Sequence, residues 1–216
     1  MNTQLLIGAK ETPASGGKTF DRLNPITGEC ATRAAVASVE DANLAASAAA
    51  IAFPAWAEMG PSARRALLNK AADALEAKAA EFTSAMMEET GATAAWAGFN
   101  VALAAGIVRE AAAMTTQITG EVIPSDKPGL LALAIRQPVG VILGIAPWNA
   151  PVILGVRAIA MPLACGNTVV LKASELCPRG SLFDRAGIPS RRLPGWRGQR
   201  RHQFRARRRH HCRSAD

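Results

Sequence analysis

Val139-Gly-Val-Ile-Leu-Gly-Ile-Ala-Pro-Trp-Asn-Ala-Pro151 begins as a wholly apolar, partly β-branched run and ends in a loop stiffened by two prolines. The run Val139–Ile145 predicts a short strand covered on both faces. A helical stretch from about Val152 to Leu163 follows, then Gly166-Asn167, then Thr168-Val-Val-Leu-Lys172. Strand, helix and strand within about 30 residues is the size of a βαβ unit. Such a unit implies a parallel sheet with a nucleotide-binding crevice at the carboxyl ends of its strands, and hence an α/β fold.

On the amino-terminal side the punctuation is regular. Gly120–Ile123 and Leu130–Arg136 look like strands about the turn Pro124–Gly129, a hairpin over about 120–136. Before it a long helix is expected from roughly Thr93 to Gln117, and another closes near Gly91 as its C-cap. Leu68, Ala71, Ala72, Leu75 and Ala79 recur at three- and four-residue spacing, a buried stripe on a helix opened by Gly60-Pro61-Ser62. Ser38 stands three residues before Asp41, an N-cap arrangement for an Ala-rich helix to about Phe53, which Pro54 should end. The first residues suggest a short hairpin, with Gln4–Ile7 and Thr19–Leu23 on either side of Ser15-Gly16-Gly17. Asn24-Pro25 and Thr27-Gly28 are further turn signals.

The 216 residues are 49% hydrophobic, enough apolar content to fill a core and exclude wholesale disorder. The formal charge of +8 is unevenly placed. Residues 1–178 carry 13 Lys+Arg against 15 Asp+Glu, whereas residues 179–216 carry 12 Arg against two acids. The basicity belongs to this tail, which lacks apolar periodicity and is expected to be disordered. Twelve arginines bind phosphate non-specifically at low salt, but no motif or aromatic interleaving supports evolved nucleic-acid recognition. Cys30, Cys165, Cys177 and Cys212 lack C-x-x-C spacing, which argues against a disulfide framework or a metal site. No signal-peptide pattern opens the chain, so a reducing, cytoplasmic setting is expected. Thr90–Val108 and Gln137–Val156 are charge-free and long enough to flag as membrane spans. Their glycines, Asn100 and three prolines favour buried elements instead, with no membrane partner.

Two segments carry chemistry. Asn149 falls at the carboxyl end of the first strand, where a fixed amide N–H suits charge developing on a carbonyl oxygen. Spacing alone favours a plainer role, in which Asn149 caps the following helix. Lys172 ends an apolar strand and Glu175 follows three residues later. The two could bond the sugar hydroxyls of a nucleotide, or simply form a surface ion pair.

Pro147-Trp-Asn149 and Gly166-Asn-Thr-Val-Val-Leu-Lys-Ala-Ser-Glu175, in this order, resemble the aldehyde dehydrogenase superfamily. The resemblance extends over residues 5–178 and includes Asn24-Pro-Ile-Thr-Gly-Glu29, Ala52-Phe-Pro-Ala-Trp56 and Gly120-Glu-Val-Ile-Pro124. It implies the N-terminal part of that fold: helices, the first βαβ of the NAD-binding sheet, and the hairpin at 120–136 as an oligomerisation segment. It makes Asn149 an oxyanion-hole donor, and Lys172 with Glu175 contacts of the adenosine ribose of NAD. Ile145, Ala146, Pro147 and Trp148 would line the cofactor, with Ser174 near it. Lys172-Ala-Ser-Glu175 discriminates only partly between NAD and NADP.

Family chemistry is attack of a Cys thiolate on an aldehyde, hydride transfer to NAD(P)⁺, and thioester hydrolysis with a Glu base. That Cys and Glu lie well beyond the motif lysine in the family, and this sequence has no corresponding region. Cys30, Cys165 and Cys177 match no catalytic position, and Cys212 lacks the surrounding motif. The chain is therefore expected to be inactive alone. The alternative is a non-catalytic dinucleotide-binding or subunit-association module. Trp96 and Arg157 resemble the substrate-tunnel residues of the aromatic-aldehyde subgroup that includes salicylaldehyde and vanillin dehydrogenases. An indole wall suits a planar ring, and a guanidinium can steer a phenolate or a product carboxylate. In the plainer reading Trp96 is core and Arg157 a surface residue. A small aromatic aldehyde and a homo-oligomer are the partners this implies.

Residues 179–216 depart from the family pattern. Permitted codons for Trp196–Asp216, read one base later, spell GVVNVVTNSAPDAATIVEALI, and those for Ser181–Ala186 spell HSLIGQ. Both are similar to the family's continuation, so a frameshift near residues 179–181 is expected. The organisation read from the sequence is an incomplete family region at 1–178 and a non-family tail at 179–216.

Overall fold

The computed structural model describes residues 1–8 and 10–180. In chain order the elements are β1 (Asn2–Thr3), β2 (Leu5–Ile7), β3 (Lys10–Thr12), β4 (Thr19–Leu23), β5 (Cys30–Ala35), α1 (Val39–Ala57), α2 (Pro61–Ala77), α3 (Ala79–Thr90) and α4 (Ala94–Met114). There follow β6 (Glu121–Ile123), β7 (Ala132–Ala134), β8 (Val141–Ile145), α5 (Pro151–Ala164) and β9 (Thr168–Lys172). The expected βαβ unit is present, with β8 and β9 parallel and in register from Val141 opposite Thr168 to Ile145 opposite Lys172. The hairpin of β6 and β7 is antiparallel, with Val122 opposite Leu133.

The core lies in the helical layer. Leu68, Ala71, Ala72 and Leu75 of α2 meet Val101, Ala104, Ala105 and Val108 of α4 and Val152, Val156 and Ile159 of α5 in one buried cluster. Alanines on these faces let helix backbones approach closely. Among the described helices α4 is the one long and apolar enough to cross a membrane. Here it is the centre of the layer, packed on by α2, α3 and α5. Gln137–Val156 is no single helix but a strand, a loop and a helix start. Thr93 caps α4 through its hydroxyl, and Gly91 closes α3 with the left-handed φ of 72° that a Cβ would strain.

Three local expectations are corrected. Gln4–Ile7 and Thr19–Leu23 do not pair. β2 turns back on β3, while β4 pairs with β5 across the Asn24–Glu29 turn and β1 joins β5 in parallel. Pro54 does not end α1, which continues to Ala57. The helix loses one backbone bond there, but Trp56 in the last turn is buried and donates its indole N–H to the Leu163 carbonyl at 3.0 Å. The strand at 139–145 is covered on one face rather than two. Gly144 faces Ala158 of α5, whereas Val141, Leu143 and Ile145 are 39%, 64% and 65% exposed. α1 packs mainly on the β9 side, where the Thr168 hydroxyl donates to the Ala49 carbonyl at 3.0 Å, and among the described residues it leaves that strip of β8 largely exposed.

The expected capping of α1 is present and serves a second segment. Asp41 accepts from the Ser38 amide at 2.8 Å and hydroxyl at 3.0 Å, completing a capping box. It also accepts from the Ser15 hydroxyl at 2.6 Å and amide at 3.1 Å, tying the loop before β4 to the helix. These donors, Ser15's hydroxyl first, pull its pKa from 3.8 to about 2. A depressed carboxylate pKa contributes stability that is complete above the unfolded value and lost as pH falls through the folded one. Between pH 3.8 and about 2 the melting temperature should therefore fall more steeply in the unsubstituted chain than in Asp41→Asn. Parallel slopes in thermal melts over that window would remove Asp41 from the acid limb.

Residues 181–216, where most of the expected disordered tail falls, lie outside the described residues. Arg179 and Gly180 are part of the fold and are held by α3.

Candidate functional site

The candidate site lies at the carboxyl ends of β8 and β9. The Ala146 amide continues their ladder by donating to the Lys172 carbonyl at 3.0 Å, so buried Ala146 anchors the loop that follows. Pro147, Trp148 and Asn149 then stand exposed above the strand ends. Pro151 starts α5 at its first turn, where the missing N–H costs no helical bond.

Asn149 does not cap α5. The capping position is Ala150, with φ −141° and no side-chain hydrogen bond, while its carbonyl takes the first helical bond from Leu154 at 2.9 Å. The side-chain amide of Asn149 is thus left for another use. Its backbone carbonyl accepts a long hydrogen bond, 3.4 Å, from the indole N–H of Trp96. Trp96 is therefore not core. It is 43% exposed and stacks on Phe99 with ring centroids 5.6 Å apart.

Lys172 and Glu175 form an ion pair at 3.0 Å, both well exposed. Glu175's own backbone N–H, and then Lys172, hold the carboxyl below the usual glutamate range. Ser174 is buried, and its hydroxyl accepts the Leu176 amide at 3.2 Å, a turn that brings Glu175 back beside Lys172. Arg157 is exposed on α5 and makes no ion pair among the described residues. Ile145 ends β8 on its uncovered side.

Asn149 and Trp96 are thus joined by one hydrogen bond and Lys172 and Glu175 by an ion pair at the end of β9, whereas Ser174 shapes a turn. Two neighbours went unread. Phe99 supports the indole, and fully buried Asn100 donates its amide to the Trp96 carbonyl at 3.0 Å. Both sit at helical spacing from Trp96, three and four residues on, a signal present in the sequence. Asn167 of the Gly166–Glu175 motif has a structural part. Its side-chain oxygen accepts the Val139 and Gly140 amides at 2.7 and 3.1 Å and sets the start of β8.

The chain is similar to known proteins. Vanillin dehydrogenase from a Pseudomonas species is 66% identical over 174 residues, which is 81% of this chain and 36% of that protein. Vanillin dehydrogenase from Pseudomonas fluorescens is 63% identical over 193 residues, 87% of this chain and 40% of that protein. The crystal structure of a salicylaldehyde dehydrogenase from Pseudomonas putida G7, complexed with salicylaldehyde, superposes with a TM-score of 0.85 at 48% identity. It matches over 88% of this chain and 40% of that one. The chain thus spans about 36–40% of the length of these relatives. The profile of the aldehyde dehydrogenase family matches residues 12–191, most of the sequence, and on that match the chain belongs to the aldehyde dehydrogenase family.

Proposed function

We propose that this chain forms the cofactor crevice and one substrate wall of an NAD(P)-dependent enzyme that oxidises aromatic aldehydes to carboxylic acids. The observation that carries this reading is the bond from Trp96 to the Asn149 backbone, which joins an exposed indole to the loop bearing an uncommitted amide. A planar ring lying on Trp96 would hold its carbonyl near that loop, where the Asn149 amide would donate to the developing oxyanion. Arg157, free of a carboxylate partner among the described residues, would attract a phenolate or the product carboxylate. The similarity to vanillin and salicylaldehyde dehydrogenases supports an aromatic substrate.

The strand-end residues fit a dinucleotide. Exposed Lys172 offers N–H donors and Glu175 acceptors beside each other, which suits the paired hydroxyls of a ribose. NAD(P)⁺, when bound, accepts the hydride. The lining residues Ile145 to Trp148 would contact it, and NAD is our first choice over NADP because Glu175 would repel a 2′-phosphate. The hairpin at 120–136, with Val122 72% and Leu131 71% exposed, would join subunits of a homo-oligomer in a reducing cytoplasm. The family's nucleophilic Cys and base Glu match no residue of residues 1–178, and the residues after a frameshift near 179–181 would be a tail outside the family pattern.

Ligand-observed NMR of the 216-residue chain tests the cofactor assignment. NAD⁺ should bind weakly, and the paired change Lys172→Ala with Glu175→Ala should weaken it by about 5–10-fold, the worth of one or two hydrogen bonds. Equal binding by the variant would place the nucleotide elsewhere. With salicylaldehyde or vanillin and NAD⁺ no reduced nicotinamide should form, and turnover by this polypeptide would show that it holds a nucleophile after all.

A further inference from the structure

Glu89 lies near the carboxyl end of α3 and is fully buried, at the core spacing of Phe82, Ala85, Met86 and Glu89. A carboxylate there is costly unless its oxygens are satisfied. Two consecutive backbone amides satisfy them from 90 residues further along the chain. Arg179 N–H donates to Oε1 and Gly180 N–H to Oε2, each at 2.9 Å. The Arg179 guanidinium is directed elsewhere, to Glu88 Oε2 at 2.8 Å, so the grip of Glu89 is on the backbone. Arg22 of β4 fixes the other side of the residue by donating to the Glu89 carbonyl at 2.7 Å.

This grip adjoins the first turn of α5. A methyl group at Gly180 would meet Glu89 Oε2 at 3.5 Å, Pro151 Cγ at 3.6 Å and Cys177 Cβ at 3.8 Å. The carboxylate, the first turn of α5 and the turn after β9 therefore converge on one point. Pro151 directly follows the loop that carries Trp148 and Asn149.

We propose that Glu89 is a positioning residue for the crevice, holding the Arg179 and Gly180 amides so that the turn after β9 braces Pro151 and the loop before it. The role is the same whatever ligand the crevice takes. Burial pushes the Glu89 carboxyl above the usual glutamate range, against the two amides, the Thr32 hydroxyl and the charge of Arg179. Arg22, Glu88 and Arg179 are the charged groups facing it.

Site-resolved amide exchange on the 216-residue chain tests the proposal. Glu89→Gln leaves one oxygen for two donors, and exchange at Arg179 or Gly180 should accelerate at least about tenfold, the factor for a lost charge-assisted bond. The Leu154 amide, in the first turn of α5, should follow, while Leu68–Leu75 and Val101–Val108 keep their protection. Glu88→Gln should leave the Gly180 amide unchanged. In the unsubstituted chain the amides of residues 179 and 180 should be protected from exchange. That protection supplies a readout that needs only the unsubstituted protein. Unchanged exchange at both amides in Glu89→Gln, or acceleration spread evenly over the core helices, would overturn the proposal, as would unprotected amides at 179 and 180 in the unsubstituted chain.

Discussion

Truncating Leu75 to alanine is expected to remove about 2–5 kcal/mol of stability, because the site can collapse very little around the missing atoms. Leu75 is fully buried on α2 within the cluster shared with α4 and α5. Its surroundings are rich in alanines, among them Ala71, Ala72, Ala104 and Ala105, whose short side chains cannot swing into a void. Helices that already touch through small residues also cannot move closer without collision. The loss should appear as a lower urea midpoint with an unchanged m value. Leu44→Ala on α1, where the side chain is 49% exposed, provides the contrast, with an expected change of about 0.5 kcal/mol or less. Equal effects at the two positions would mean that the helical layer is not the core.

Arg64→Ala should be comparably damaging, about 2–5 kcal/mol, for a different reason. Arg64 is buried on α2 and donates from Nε to the Ala164 carbonyl at 3.1 Å, and from Nη1 to the Met59 carbonyl. One guanidinium thus closes the end of α5 and the loop between α1 and α2. Gly166, with φ 85°, lets the chain turn beneath it, and a Cβ there would stand 2.9 Å from Pro138. Removing the guanidinium leaves two carbonyls without donors in a region where burial already lowers the arginine's own pKa. Arg64→Lys restores charge but not the planar fork, and should recover roughly half of the loss. Arg64→Met restores volume alone, so a full recovery by Met in urea titrations would show that packing rather than hydrogen bonding is at stake.

The parts of the fold legible in the sequence were those governed by local chemistry. The run before Ile145, the helix opened by Pro151 and the strand ending at Lys172 each carry their own period and punctuation, and they form the βαβ unit. Partner choice was less legible. Thr19–Leu23 has strand character that does not specify its mate, and Cys30–Ala35 supplies it across a turn whose signals, Asn24-Pro25 and Thr27-Gly28, were in plain view. Pro54 misled because a proline in a last turn forfeits only one bond, which the distant anchoring of Trp56 can outweigh.

The candidate site divides in the same way. Asn149 was correctly located at the strand end, but whether it caps α5 depended on a backbone angle at Ala150 that no spacing reveals. Lys172 and Glu175 were read as either ribose contacts or an ion pair, and the chain itself shows the ion pair. Glu89 escaped notice because its partners lie 90 residues away, although an acid at a core position of α3 was itself a signal.

The uncovered strip of Val141, Leu143 and Ile145 ties the behaviour of this polypeptide to the salt it is kept in. Sulfate and phosphate are excluded from protein surfaces and strengthen apolar association, so they drive such a strip toward any apolar neighbour. Salting-out of this chain should then respond to its exposed apolar side chains, this strip among them, as well as to its net charge.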